Sequence, residues 1–165
     1  MIGSESVGFA DTPRARCEYY RKVCGLPAVL DPRHGGITFR AGFVWGLMMP
    51  SELGNRVRLD LERHGDGGGP IVSHPRSATW TFLMRSDIPA TRLPEFGALP
   101  RAGVRLIREG GVIALPSPAD SDPVYRAWIT AAHSAFRPSG MVVLEAAKRC
   151  VAAGATWVSP QAGEL

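Results

Sequence analysis

The sequence predicts an α+β domain, with a mixed, largely antiparallel sheet flanked by about three helices. Predicted strands outnumber predicted helices, and most of them follow one another along the chain with only a short turn between them. Strands joined in this way pair as antiparallel neighbours, and helices cover their apolar faces. The 165 residues, of which 45% are hydrophobic and 21% charged, suffice for one such core.

The first half of the chain supplies the first two helices and the first three strands. Residues 1–10 are expected to be disordered, and Asp11-Thr12-Pro13 predicts a helix start that leads to a helix ending at Cys24. Segments 28–31 and 37–40 are predicted to form a hairpin, and the apolar run 43–49 is typical of a strand buried on both faces. A second helix is predicted over 51–63 from an apolar residue at every fourth position: Leu53, Val57 and Leu61.

The second half of the chain supplies most of the predicted sheet. Strands are predicted at 71–73 and 78–84, and again at 104–107 and 112–115, the last two paired as a hairpin across 108–111. A short strand at 125–129 and a last helix over 140–153 follow, and the tail 155–165 is expected to be loose. Residues 11–154 are thus predicted to be one domain, whose central sheet holds the strands at 43–49, 71–73, 78–84, 104–107 and 112–115.

The same patterns predict which side chains fill the core. Apolar residues in the phase of these strands and helices are expected to be largely buried, namely Trp45, Leu47, Val57, Leu61, Trp80, Phe82, Ile113, Leu115 and Leu144. The three cysteines, Cys17, Cys24 and Cys150, are scattered and odd in number, so we expect buried free thiols. Because none of them forms a Cys-x-x-Cys pair, they predict no metal site.

Two compositional features bear on location and partners. No stretch approaches the roughly 20 consecutive apolar residues of a membrane span, and the first residues lack a secretory pattern, so a cytoplasmic protein without a membrane partner is expected. The net charge is +4, which can attract nucleic acid. The candidate anion- or nucleic-acid-binding side chains are Arg76, Arg101, Arg105 and Arg108.

Asp60 and Glu62 form the most suggestive pair of acids. On a strand, both carboxylates would face one way and, with His74, could hold Mg²⁺ or Mn²⁺ for phosphoryl transfer. On a helix they would point about 200° apart and could not form one site. The four-residue apolar period favours the helix, and an active metal-dependent nucleotidyltransferase stays open as an alternative function.

Three segments together resemble a known family. They are Gly103–Ser117, in which two short strands and a glycine turn lead into a Pro-Ser loop, then Tyr125-Arg126-Ala127-Trp128, and upstream Ser77–Phe82. Over about residues 71–129 the chain resembles the bifunctional primase-polymerase domain of the archaeo-eukaryotic primase superfamily. The resemblance implies a cavity in which Arg105 and Arg108 can bind an anion.

The catalytic residues of that family do not carry over. The strand that should hold paired acids offers Leu47 and Met49, the position of the nucleotide-contacting histidine is Thr79, and that of a third acid is Arg105. Metal-dependent polymerisation needs carboxylates to hold its ions. The sequence therefore predicts no catalytic residue, metal or cofactor, and points to a non-catalytic domain that binds a protein partner, nucleic acid or a nucleotide. A stand-alone interaction domain unrelated to primases is the remaining alternative.

Overall fold

The computed structural model describes residues 11–121 and 124–155. Its elements in chain order are α1 (Pro13–Lys22), β1 (Ala28–Leu30), β2 (Ile37–Arg40), β3 (Val44–Pro50), α2 (Ser51–Arg63), β4 (Ile71–His74), β5 (Thr79–Arg85), β6 (Arg105–Ile107), β7 (Val112–Leu115), β8 (Ala127–Thr130) and α3 (Gly140–Ala155). This order is the predicted one, and it confirms the α+β class. Residues 1–10 and the predicted tail beyond 155 lie outside the described residues.

The strands form two antiparallel sheets. The larger has the order β6-β3-β5-β4-β8, and the smaller has the order β1-β2-β7. The predicted hairpin of β1 and β2 is confirmed, with Val29 opposite Thr38. None of the helices among the described residues is long and apolar enough to cross a membrane.

The predicted hairpin of β6 and β7 is wrong. β6 pairs with β3 in the larger sheet, whereas β7 pairs with β2 in the smaller one, so residues 112–115 do not belong to the central sheet. The turn between them carries the chain from one sheet to the other: Gly110 N–H donates to the Ala41 carbonyl, and Ala41 N–H donates to that of Gly111. These two bonds extend β7 along β2. Two short apolar strands joined by a glycine turn have the same sequence pattern whether they pair with each other or with other strands, so the sequence did not distinguish the two arrangements.

Alternation along the strands gives the larger sheet two different faces. Its helix-side face, which includes Leu47 and Phe82, packs against α2 and α3. Its inner face, which includes Gly46 and Thr81, meets the smaller sheet. A Cβ placed on Gly46 would lie 2.9 Å from Cδ1 of Ile113, so the absent side chain lets the two sheets touch.

The predicted core is confirmed at all but one position. Trp45, Leu47, Val57, Leu61, Phe82, Ile113, Leu115 and Leu144 are buried, and the three cysteines are buried free thiols. Trp80 is only half-buried, although it was expected in the core. Its ring lies against Gly54 of α2, where a Cβ would come within 2.8 Å of it. Because Gly54 has no side chain, this turn of α2 covers only part of the Trp80 ring, and the rest of the ring remains exposed.

Tyr20 ties α1 to the second half of the chain. Its hydroxyl donates to the Pro116 carbonyl at 2.6 Å and accepts a hydrogen bond from Trp128 Nε1 at 3.2 Å. One fully enclosed phenol thus links α1, the loop after β7, and β8. These links position the segment that leads into β8, which borders the site described below.

Replacing Gly46 with Val should destabilise the fold, because the new side chain would enter the space of Ile113 and Thr81. Overpacking of this kind costs about 1–3 kcal/mol. The matched control is Gly42→Val, because nothing lies within 4 Å of a Cβ there. Denaturant unfolding should show the loss only for Gly46→Val, and equal midpoints for the two variants would contradict this packing of the sheets.

Candidate anion-binding cleft

A cleft of about 440 Å³ opens between the inner face of the larger sheet and β7. It begins where the two sheets part. They touch at Gly46, and Met48, two residues further along the same face, already lines the cleft. The described lining residues are Met48, His74, Arg76, Ser77, Thr81, Ile107, Val112, Ile113, Ala114, Val124 and Arg126.

The tight turn between β4 and β5 carries several polar groups at one end of the cleft. Pro75–Ser77 forms a single 3₁₀ turn, and Ala78 then adopts a left-handed conformation with φ of 52°. A non-glycine residue in this region is strained, and such residues cluster at functional sites. The Ala78 carbonyl is fixed by the amide of Ser51, at the start of α2. The turn is thereby anchored to the rest of the fold.

His74 lies inside the cleft as a neutral imidazole. Its Nε2 is 2.9 Å from Oγ1 of Thr81, which is fully buried on the neighbouring strand. Burial, and secondarily the positive charge of Arg126, lower the pKa of His74 from 6.5 to about 4. At neutral pH the ring is therefore uncharged, and it can donate or accept a hydrogen bond according to its tautomer.

Arg76 and Arg126 give the cleft its positive charge. Arg76 is exposed on the tight turn, whereas Arg126 is partly buried and lies 3.5 Å from the carboxylate of Asp120. Asp120 also accepts a hydrogen bond from the Ser117 amide at 3.0 Å. This bond fixes the Asp120 carboxylate, which in turn orients the Arg126 guanidinium. Among the described residues that line the cleft, there is no carboxylate.

The four arginines singled out from the sequence do not form one patch. Arg76 lines the cleft, and Arg105, exposed and opposite Met48 in register, shares the inner face of the sheet. Arg101 borders a different hollow between α2 and α3, and Arg108 borders an apolar cavity on the helix side. Sequence reasoning missed Arg126, although it belongs to the Tyr125-Arg126-Ala127-Trp128 segment that carried part of the family resemblance.

Asp60 and Glu62 lie on α2, as the four-residue period predicted, and they have different partners. Asp60 is buried and paired with Arg149 of α3 at 2.5 Å, and this hydrogen bond lowers the pKa of its carboxyl. Glu62 pairs with Arg58 at 3.0 Å. Both acids therefore stand on the helix side of the sheet, across from the inner face that carries His74. Within residues 11–121 and 124–155, no three His, Cys, Asp or Glu side chains converge as a metal-binding group.

The strand positions that the sequence resemblance matched to paired acids do not face the cleft. Leu47 and Met49 are completely buried on the helix-side face, and the residue of β3 that lines the cleft is Met48. Thr79, which the sequence resemblance matched to a histidine, lies directly opposite His74 in the pairing of β4 and β5. A histidine is thus present at this end of the cleft, on the adjacent strand.

No protein-family model matches the chain, and neither a curated protein nor a solved structure is significantly similar to it.

The environment of His74 predicts how stability varies with pH. The unfolded chain takes up a proton at His74 near pH 6.5, whereas the folded protein does so only near pH 4. Because the unfolded state then binds more protons, the free energy of unfolding should fall as the pH is lowered from about 6.5 towards 4. Denaturant unfolding at several pH values should show a smaller fall for His74→Gln. A His74 titration midpoint near 6.5 by NMR would contradict this environment.

Proposed function

We propose that this chain is a non-catalytic primase-polymerase-like domain that binds a phosphate-bearing ligand, a nucleotide or a nucleic-acid strand, in the cleft between its two sheets. The observation that carries this proposal is the lining of the cleft. Two arginines and a neutral histidine face a space of about 440 Å³, whose described lining includes no carboxylate. Guanidinium groups form strong paired hydrogen bonds to phosphate oxygens, and a lining without acids lets an anion approach.

The family resemblance supports the nucleotide as the ligand class. The positions carried over from the family's histidine and third acid are Thr79 and Arg105, and both lie on the face of the sheet that borders the cleft. His74, directly across from Thr79, supplies the imidazole that Thr79 lacks. Arg105 adds positive charge to the same face. Together, His74 and Arg105 support a phosphate-bearing ligand on this face of the sheet.

The same lining argues against nucleotidyl transfer in this cleft. Polymerisation needs metal ions, held by carboxylates, to neutralise charge on the transferring phosphate. Met48 stands where β3 reaches the cleft, and Arg105 beside it would repel a cation. Asp60 and Glu62 belong to the ion pairs of α2 on the other side of the sheet. Binding without turnover is the function that these residues support.

Binding should be detectable with a nucleoside triphosphate and a short fluorescent single-stranded oligonucleotide, by calorimetry and anisotropy respectively. Arg76→Gln and Arg126→Gln should each weaken binding by about 10- to 150-fold, because each removes charge-assisted hydrogen bonds worth about 1.5–3 kcal/mol. Affinity should also fall with added salt, since contacts to phosphates release counterions.

The matched control is Arg101→Gln, an arginine that borders the hollow between α2 and α3. Its affinity for both probes should equal that of the unchanged protein. Binding that resists high salt, or that Arg101→Gln weakens as much as the cleft variants do, would remove the cleft from consideration.

Primer synthesis and extension assays with Mg²⁺ and with Mn²⁺ should show no product. The informative comparison is the Asp60→Ala/Glu62→Ala variant, which removes the only acids proposed from the sequence as metal ligands. Activity of the unchanged protein that this variant abolishes would establish the enzyme alternative. Because Asp60 is buried against Arg149, the variant's folding must be verified by its thermal melt.

A further inference from the structure

A second cavity, of about 300 Å³, lies on the opposite face of the larger sheet from the cleft. Leu47 and Leu106 are register partners on β3 and β6, and they alternate with Met48 and Ile107, which line the cleft. The described lining residues of this cavity are Leu47, Leu93, Phe96, Gly97, Leu99, Pro100, Val104, Leu106, Arg108 and Leu144. Its volume is at the lower end of the range of small-molecule sites.

Two short 3₁₀ helices, which we call the cover, line this partly open cavity. They span Ala90–Phe96 and Leu99–Ala102, and each contains a proline that cannot donate a backbone hydrogen bond. Side-chain contacts hold the cover against α3: the ammonium of Lys148 lies 5.8 Å from the Phe96 ring centroid, and Arg92 lies 3.5 Å from Glu145. Contacts of Arg92 and Phe96 with α3 thus hold the cover in place, and its Leu and Phe residues line the cavity.

Arg108 is the one charged residue in the described lining of this cavity. It directly follows β6 and is exposed, and its guanidinium lies 5.7 Å from the centroid of the Trp45 ring. It forms no ion pair with any residue that the structure describes, whereas Arg58, Arg92 and Arg149 on the helix side each do. Packing on a flat indole orients the guanidinium and leaves its edge available to a carboxylate.

We propose that this cavity binds a small amphipathic acid, with a short acyl chain inside and its carboxylate on Arg108. Binding an apolar chain between apolar walls is favourable because it removes apolar surface from water. A charged or strongly polar group in the same place would lose its hydrogen bonds to water without replacement. A single unpaired guanidinium at the edge selects one anionic group at the end of that chain. The site is separated from the cleft by the sheet itself, so this inference does not depend on the proposed function.

Octanoate is the probe, and calorimetry on the full chain is the measurement. We expect saturable binding at one site, tighter than that of hexanoate by about fourfold for each added methylene, since each buried CH₂ contributes about 0.8 kcal/mol. 1-Octanol, which has the chain without the charge, should bind about tenfold more weakly. Absence of saturable octanoate binding, or equal affinities for octanoate and octanol, would overturn the proposal.

Two variants locate the bound acid. Leu93→Trp places a larger ring in the cavity from a half-buried position on the cover, and it should abolish octanoate binding. Arg108→Gln changes an exposed residue, so the fold should persist, and it should weaken octanoate about tenfold without affecting octanol.

The matched control is Arg105→Gln, three residues away and on the inner face of the same sheet, which should leave octanoate affinity unchanged. Equal losses in Arg105→Gln and Arg108→Gln would mean a non-specific effect of charge, and would overturn the assignment. Octanoate binding that survives in a folded Leu93→Trp protein would do the same.

Discussion

The contact between the two sheets at Gly46 is the constraint on which the architecture depends. β3 is paired on both sides, and at Gly46 its inner face lacks a side chain, so Ile113 of the smaller sheet comes within van der Waals distance of the strand. Thr81, on the neighbouring strand, closes the same contact. Met48, two residues further along the same face of β3, lines the cleft, so the cleft opens beside this contact.

The two sides of one sheet serve different purposes in this fold. β3 and β6 direct Met48 and Ile107 into a cleft bordered by arginines, and they direct Leu47 and Leu106 into an apolar cavity under the cover. Strand alternation, repeated on two paired strands in register, thus supplies two of these four residues to each site. The two sites therefore share supports, while their chemistry is separate.

The acidic residues nearest to these sites act mainly in structural pairs. Asp60 joins α2 to α3 through Arg149, and Asp120 orients Arg126 from behind. The Arg149 side chain is 43% exposed, so solvent screens its pair with Asp60 and the pair adds only modestly to stability. Arg137 is a further case of a buried cation held by the backbone, with its guanidinium donating to the carbonyls of Cys24 and Ser134. Charge in the interior of this protein thus holds elements together.

The sequence by itself determined the α-helices and strands of the described residues and their order, since each has its own apolar period and its own turn residues. The helical period of Leu53, Val57 and Leu61 also placed Asp60 and Glu62 on α2. Tertiary structure decided the rest. β6 and β7 lie in different sheets because Gly110 N–H donates to the Ala41 carbonyl and Ala41 N–H donates to the Gly111 carbonyl. These bonds to a residue distant in sequence compete with a local hairpin.

Tertiary structure alone also decided which residues of β3 face the cleft. An apolar strand that is covered on both faces carries no alternation to reveal its phase, so Met48 could not be distinguished from Leu47 and Met49. The role of Arg126 was hidden for a related reason. Its place beside His74 and Arg76 depends on the pairing of β8 with β4, which joins segments more than fifty residues apart. The sequence determines the chemistry of each side chain. Which side chains come into contact depends on which strands pair and which face of the sheet each residue occupies.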